Sequence, residues 1–177
     1  MSRYIYLIVG ESGSGKTTLV RELERVFGWE SIESYTTRRR RPDETRGHVF
    51  VTDQEFDQLQ DLVAYTEFDG QRYGTTAEQI DTHQLYVIDP DGVEYFFNNY
   101  HGPRKAKIIY VKVPECQRLS RMQSRGDSVE QAVQRIIHDR HAFAAFEDVA
   151  DFVVVNDIFE KCLLDMIDWI NEQEVSE

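Results

Sequence analysis

Residues 10–17 combine glycine, lysine and threonine in a spacing that suits phosphate binding. They read Gly-Glu-Ser-Gly-Ser-Gly-Lys-Thr, the pattern G-x-x-x-x-G-K-T. Glycines let backbone N–H groups approach phosphate oxygens, and a helix that begins nearby adds the positive end of its dipole. The Lys16 ammonium would reach the outer phosphates, and the Thr17 hydroxyl would hold Mg²⁺. The predicted contacts of this phosphate loop with a nucleoside triphosphate are Gly10, Glu11, Ser12, Gly13, Ser14, Gly15, Lys16, Thr17 and Thr18.

The sequence on either side of the loop supports this interpretation. The apolar run Tyr4–Val9 precedes it, and residues 18–27 follow with a helical period. A strand, a glycine-rich turn and a helix start are the context that a phosphate-binding loop requires. The alternative, a flexible Gly/Ser turn before an ordinary helix, leaves the spacing of lysine and threonine unexplained.

A second candidate for anion chemistry is the run of four arginines at positions 38–41. The alternatives are a solvated charge run or a nucleic-acid tag. The whole chain carries a net charge of −12, and broad nucleic-acid binding requires a basic surface. Arginine forks match phosphate oxygens bidentately, so a local anion pocket is favoured.

Length and composition indicate one soluble globular domain. The chain has 177 residues, of which 41% are hydrophobic and 29% charged, and this is close to the common domain size. It contains no apolar stretch of membrane-spanning length and no signal-peptide pattern. Cys116 and Cys162 have no metal-ligand spacing and are predicted to be buried thiols in a reducing compartment. We therefore expect a cytoplasmic protein without a membrane partner; the oligomeric state is left open.

Strands and helices are predicted to alternate along the chain, which indicates an α/β fold with a mainly parallel sheet. A capping box at Thr52 and Glu55 predicts a helix over residues 53–62. Asp69-Gly70 predicts a hairpin turn within a small inserted sheet. Further strands are predicted at 4–9, 49–51, 85–88, 107–113 and 152–155, and further helices at 18–27, 116–124, 128–146 and 158–173.

The chain resembles the guanylate kinase family in the order of its motifs, which are GESGSGKTTL, SYTTRRRRPDETRG, RYGTT, VIDPDGV, SRG and VVVND. The resemblance extends over about residues 5–170. It implies a three-layer P-loop fold with a mainly parallel sheet, a small inserted nucleotide-binding sheet and a helical lid. Within one domain of residues 1–177, the implied parts are a core (1–33, 77–120 and 147–177), an insertion (34–76) and a lid (about 121–146).

The same resemblance implies an enzyme that uses ATP and Mg²⁺ to phosphorylate a nucleoside monophosphate, GMP or dGMP above others. Its partners would then be small-molecule nucleotides. One alternative is a kinase for another small molecule or an atypical nucleotide on the same fold. Another is a non-catalytic binding module of the family, but such modules lose the phosphate loop, whereas Lys16 and Thr17 are present here.

Residue roles in acceptor binding follow from the resemblance alone. It assigns Arg38 and Arg41 to the acceptor phosphate, together with the Tyr73 hydroxyl. Ser34 and Thr75 occupy positions that hydrogen-bond the guanine carbonyl.

The resemblance also implies metal, lid and adenine contacts. Asp89 or Asp91 would orient Mg²⁺ or contact the acceptor, and Asp89 is the predicted metal residue. Asn156 matches a position near the adenine of ATP. The predicted catalytic residues, including the lid arginines, are Lys16, Arg38, Arg121, Arg125 and Arg135.

Two positions depart from the family pattern. His48 stands where the family has a phosphate-binding tyrosine, and a simple turn residue is the alternative for it. Ala64 stands where the family has the glutamate that reads the N1 and N2 edge of guanine. Losing such an acceptor can weaken discrimination strongly. We therefore expect GMP to remain the best acceptor but to be poorly distinguished from IMP.

The arginine run provides a test with internal controls. Arg38→Ala and Arg41→Ala are expected to raise the KM for the monophosphate or to lower kcat, with little change for ATP. Arg39→Ala and Arg40→Ala are expected to matter less, because the family pattern uses only the first and fourth arginines. Steady-state kinetics of the four variants measure this difference; equal effects would mean a generic charged patch.

Overall fold

The fold is built around a parallel sheet in the part of the chain that the computed structural model describes, residues 2–40 and 44–175. In chain order the elements are β1 (Tyr4–Val9), α1 (Lys16–Phe27), β2 (Ser34–Thr36), β3 (His48–Phe50), α2 (Asp53–Phe56), β4 (Leu62–Phe68), β5 (Gln71–Thr76), α3 (Ala77–Thr82), β6 (Leu85–Val87), α4 (Pro90–Asn99), β7 (Lys105–Lys112), α5 (Glu115–Ser124), α6 (Val129–Ala142), β8 (Phe152–Val155) and α7 (Phe159–Val175).

The parallel sheet has the strand order β6-β1-β7-β8 within the described residues. All six residues of β1 are buried, as expected for a strand covered on both faces. Tyr6 and Ile8 pack with Leu19 of α1 and Met166 of α7 on one face. Residues that include Leu7 pack with α4 and the smaller sheet on the other. The predicted α/β architecture with a mainly parallel sheet is confirmed.

The smaller sheet has the described strand order β3-β2-β5-β4 and is largely antiparallel. Its hairpin turns at Asp69 and Gly70, which both have positive φ, 53° and 67°. This geometry matches the right-handed twist of the paired strands. The hairpin predicted from Asp-Gly is confirmed, and the sheet lies between β1 and β6 in sequence, as the predicted insertion requires.

The helix predicted over residues 53–62 is wrong beyond Phe56. The capping box at Thr52 and Glu55 forms, but Asp61 has a left-handed φ of 55°, and Leu62 pairs with Thr76 in the sheet. Sheet pairing with β5 therefore overrides the local helical signal.

Two helices of the structure, α3 and α4, were not predicted from the sequence. Of these, α3 follows β5 directly, and α4 begins directly after Asp89. Pro90 is the first residue of α4, and Asp89 is its N-cap, because its side chain accepts a hydrogen bond from Gly92 N. Aspartate at the N-cap followed by proline is a helix-start signal, so the sequence contained the information.

The helices predicted at 116–124 and 128–146 are confirmed with shifted ends, as α5 and α6. Ser128 caps α6 and forms a capping box with Gln131. The helix ends at Ala142 rather than at residue 146, and a short 3₁₀ turn, Phe146–Asp148, follows it.

The structure also bears on membrane-spanning helices and on the predicted burial of the two cysteines. Throughout residues 2–40 and 44–175, no helix has both the length and the apolar character needed to cross a bilayer. Cys162 is buried, as predicted, whereas Cys116 is exposed, so its predicted burial is wrong. Both thiols are free.

The hairpin turn yields a matched pair of variants. At Asp69 the positive φ favours glycine and penalises a β-branched side chain. Asp69→Gly is expected to leave the free energy of unfolding nearly unchanged, whereas Asp69→Val should lower it by about 1–2 kcal/mol. Urea unfolding followed by circular dichroism measures both, and equal stability of the two variants would contradict the assigned turn.

Candidate functional site

The phosphate loop between β1 and α1 can accommodate only glycine at three positions. A Cβ on Gly10 would lie 2.4 Å from Val111 O, and one on Gly15 would lie 2.5 Å from Asn156 Nδ2. Gly13 and Gly15 also have positive φ, 80° and 92°, where other residues are strained. The loop backbone is thus pressed against its neighbours without intervening side chains.

Lys16 folds back over this loop. Its Nζ donates to Gly10 O at 2.6 Å and to Glu11 O at 3.1 Å, and it lies 3.4 Å from Ser14 Oγ. Burial lowers the pKa of Lys16 to about 8, although the nearby carboxylates of Asp139 and Glu11 oppose the shift. The ammonium is therefore partly desolvated inside a ring of oxygens, where an incoming phosphate would stabilise its charged form.

Asn156 and Arg121 hold the backbone of the phosphate loop through hydrogen bonds. Asn156 Nδ2 donates to Ser14 O at 2.8 Å, and Arg121 Nη2 donates to Asn156 O at 2.9 Å. Arg121 Nη1 also reaches Gly13 O at 3.4 Å. Among the residues that the structure describes, nothing donates a hydrogen bond to the buried Asn156 Oδ1 atom, and such atoms usually have a partner.

A buried ion pair joins α5 and α6 to the loop. Arg118, only 2% exposed, donates from Nη2 to Asp139 Oδ2 at 2.5 Å and from Nε to Ser12 O at 2.9 Å. Asp139 Oδ2 also accepts from Ser12 N at 2.8 Å. Sequence reasoning missed this pair. Asp139 is the residue from which it could have been predicted. It is a charged residue on the same buried face of α6 as Ala132 and Ile136, at positions i, i+4 and i+7.

The loop, the smaller sheet and α6 line one cavity of about 730 Å³. This volume is in the range of small-molecule sites. The predicted site residues that line it are Gly10, Ser12, Lys16, Ser34, Arg38, His48, Tyr73, Asp89, Asp91 and Arg135.

Other predicted residues lie away from this cavity lining. Thr17 and Thr18 are exposed on the first turn of α1, and Arg125 is exposed at the end of α5. Thr75 is fully buried and does not line the cavity. Arg41 lies outside the described residues.

One cavity wall comes from β2, β3 and β5. Arg38 Nη2 lies 2.6 Å from Glu44 Oε1 in an ion pair, so an incoming phosphate would compete with a carboxylate for this guanidinium. His48 Nδ1 lies 3.0 Å from Ser34 Oγ, and the His48 ring meets the Tyr73 ring edge-on at 5.6 Å. His48 therefore belongs to the cavity, as its phosphate-ligand interpretation requires.

Asp89 and Asp91 differ in environment, although both line the cavity. Asp89 Oδ1 accepts from Gly92 N at 2.8 Å and from Thr66 Oγ1 at 2.9 Å. Burial raises the pKa of Asp89 above its ordinary value, against the opposing effect of these hydrogen bonds. Asp91 is exposed. Asp89 is thus the fixed carboxylate at the end of β6, and Asp91 lies at the rim.

The hairpin tip meets α6 at the edge of the cavity. The Phe68 ring meets the His138 ring edge-on at 5.2 Å, and Arg135 Nη1 lies 3.6 Å from Asp127 Oδ2. Sequence reasoning did not place Phe68 or His138 at the site, because their contact joins two segments that are 70 residues apart in sequence.

The loop, its lysine and the parallel sheet define a P-loop nucleotide-binding protein. The family model described as "Guanylate kinase" matches residues 2–173. The chain is 34% identical over 169 residues to the guanylate kinase of Thermobifida fusca, covering 88% of this chain and 85% of that protein. It is 31% identical over 179 residues to that of Vibrio parahaemolyticus, covering 91% and 84%. The chain therefore belongs to the guanylate kinase family.

A solved structure supports the fold independently. The crystal structure of guanylate kinase from Anaplasma phagocytophilum matches with a TM-score of 0.67 and 22% sequence identity. The match covers 99% of this chain and 88% of that chain.

The environment of Lys16 predicts proton uptake on nucleotide binding. With a pKa of about 8 in the free protein, Lys16 is roughly half deprotonated at pH 8. Phosphate oxygens beside it should raise that pKa. Binding of ATP at pH 8 is therefore expected to take up about half a proton, and more at pH 9. Calorimetry in buffers of different ionisation enthalpy measures the uptake. Equal uptake by Lys16→Met would contradict the assignment.

Proposed function

We propose that this chain transfers the γ-phosphoryl group of ATP to a nucleoside monophosphate, with GMP or dGMP as the preferred acceptor. The observation that carries the proposal is that Lys16, Arg38 and Arg135 line one cavity from three separate segments. Phosphoryl transfer depends on positioning and on neutralising negative charge rather than on acid–base chemistry. The cationic side chains of the loop, the smaller sheet and the lid would meet both requirements.

The residues present fit ATP and Mg²⁺. Lys16 lies among oxygens of the loop, and Asn156 Oδ1 is a buried acceptor without a partner. Enzymes of this kind bind Mg²⁺ through one or two protein oxygens together with substrate phosphates. Thr17 and Asp89 are the residues that would supply them. The bound ion would neutralise charge on the transferring phosphoryl group.

The acceptor would bind against the wall formed by β2, β3 and β5. Arg38 and Arg41 would hold its phosphate after Arg38 exchanges Glu44 for the ligand. The Tyr73 hydroxyl and His48 are the further phosphate contacts that we propose. Because a carboxylate already pairs with Arg38 at 2.6 Å, the guanidinium is held in place before the acceptor arrives.

The lid arginines would complete the site when the two nucleotides are bound. Arg135 lines the cavity, whereas Arg121 donates to carbonyl oxygens behind the loop and Arg125 is exposed. We propose that the segment at about 121–146 acts as a lid on a core of residues 1–33, 77–120 and 147–177, with 34–76 as the acceptor-binding insertion.

The cytoplasm is the proposed location. Its support is chemical: both cysteines are free thiols, and Cys116 is exposed. Exposed thiols persist in reducing compartments, and ATP is consumed there as a kinase substrate. The proposed partners are small-molecule nucleotides.

A coupled assay of ADP release tests the function directly. GMP, dGMP, IMP, AMP, CMP and UMP are compared as acceptors with ATP and Mg²⁺. We expect turnover with GMP and dGMP, and Lys16→Met should lower it at least about 100-fold through loss of a transition-state donor. Lys161→Met is the matched control, because Lys161 pairs with Asp165 on the exposed face of α7 and does not line the cavity.

Two outcomes would contradict the proposal. Near-normal turnover by pure, folded Lys16→Met would remove the phosphate loop from the mechanism. A wild-type protein that phosphorylates none of the six monophosphates, but accepts another small molecule, would favour a different kinase on the same fold.

A further inference from the structure

Tyr86 is a residue of the cavity wall to which the family resemblance gave no role. It lies on β6, lines the cavity and is 5% exposed. Thr75 Oγ1 donates to Tyr86 Oη at 2.8 Å. Thr75 is itself fully buried and does not line the cavity. Tyr86 therefore stands between the cavity and the threonine that was expected to contact the base.

The direction of this hydrogen bond follows from burial. Two hydroxyls that share one hydrogen bond leave one O–H group without an acceptor. A fully buried O–H of Thr75 could not reach water, so leaving it unpaired would be costly. Of the two residues only Tyr86 lines the cavity, so its O–H is the one for which a ligand or water there could be the acceptor. Burial also raises the pKa of Tyr86 above its ordinary value, so the phenol keeps this proton at neutral pH.

The residue of the neighbouring strand β4 that lies opposite Thr75 is apolar. Ala64 is the cross-strand partner of Thr75 and is 1% exposed. Ala64 and Tyr86 belong to the same hydrophobic cluster. A base that enters here would therefore meet a phenolic donor but no carboxylate from position 64.

We propose that Tyr86, rather than Thr75, reads the acceptor base by donating its O–H to the carbonyl oxygen at position 6 of a purine. This inference rests on the proposed function. It makes the site selective for 6-oxopurines over 6-aminopurines. Ala64 has no acceptor for the 2-amino group that distinguishes GMP from IMP, so position 64 would not discriminate between these two acceptors.

The test compares two variants that each remove one hydroxyl of the pair. Dissociation constants for GMP, IMP and AMP are measured by calorimetry, and kcat/KM is measured with ATP and Mg²⁺. Tyr86→Phe is expected to weaken GMP and IMP alike by about three- to tenfold, the effect of one neutral hydrogen bond. Binding of AMP should not weaken, so the preference for GMP over AMP falls. Thr75→Val should change that preference less, because Tyr86 keeps its donor.

Tyr100→Phe is the matched control. Tyr100 is another tyrosine of the same hydrophobic cluster, and its hydroxyl binds Asp81 and Arg104 N away from the cavity. Its loss should affect thermal stability but not base preference. The double variant Tyr86→Phe/Thr75→Val removes the unpaired threonine hydroxyl and should retain the altered preference of Tyr86→Phe.

The outcomes separate this inference from the proposed function. If Thr75→Val lowers the preference for GMP over AMP as much as Tyr86→Phe does, or more, Tyr86 is not the residue that recognises the base. The same follows if Tyr86→Phe folds and keeps the wild-type preference. If the wild-type protein neither binds nor phosphorylates a purine monophosphate, both the proposed function and the role of Tyr86 are overturned.

Discussion

The close contact of the phosphate loop with its neighbours is the constraint on which the rest of the site depends. Three glycines bring the loop against β7, α5 and the segment after β8, where a Cβ would collide. Outward-facing carbonyls in such a loop need donors, because buried polar groups are costly when unpaired. Arg118 Nε and Asn156 Nδ2 meet Ser12 O and Ser14 O. Elements from three parts of the chain are thereby fixed to a single turn.

Charge balance around the loop follows from the same burial. Lys16 is desolvated, which disfavours its ammonium, while Asp139 and Glu11 favour it. Asp139 in turn pairs with Arg118 and accepts from Ser12 N. Removing either partner of a buried pair leaves an uncompensated charge. The Arg118–Asp139 pair therefore connects α5 and α6 to the loop, and the same Asp139 carboxylate contributes to the charge balance of Lys16.

Sequence patterns predicted the features that depend on local chemistry. The glycine spacing of the loop, the buried run of β1 and the Asp69-Gly70 turn each reside in a few consecutive residues. Leu62 was placed in a helix because its spacing suits one, and only pairing with β5 decides otherwise. The Arg118–Asp139 pair and the Tyr86–Thr75 bond join different helices or different sheets. Such contacts exist only after tertiary folding, although a charge on an apolar stripe, as at Asp139, is a signal for one.

The surroundings of Ala64 show why a departure from the family pattern cannot be interpreted without its structural neighbours. Read from sequence alone, Ala64 only removes an acceptor for guanine. In the structure it is 1% exposed and shares a hydrophobic cluster with Tyr86. A glutamate there would place a carboxylate in an apolar cluster, where burial raises its pKa and favours the neutral acid. Restoring the family residue would therefore not by itself restore a charged acceptor. A small residue at 64 and a large phenol at 86 are consistent with packing in one cluster between the two sheets.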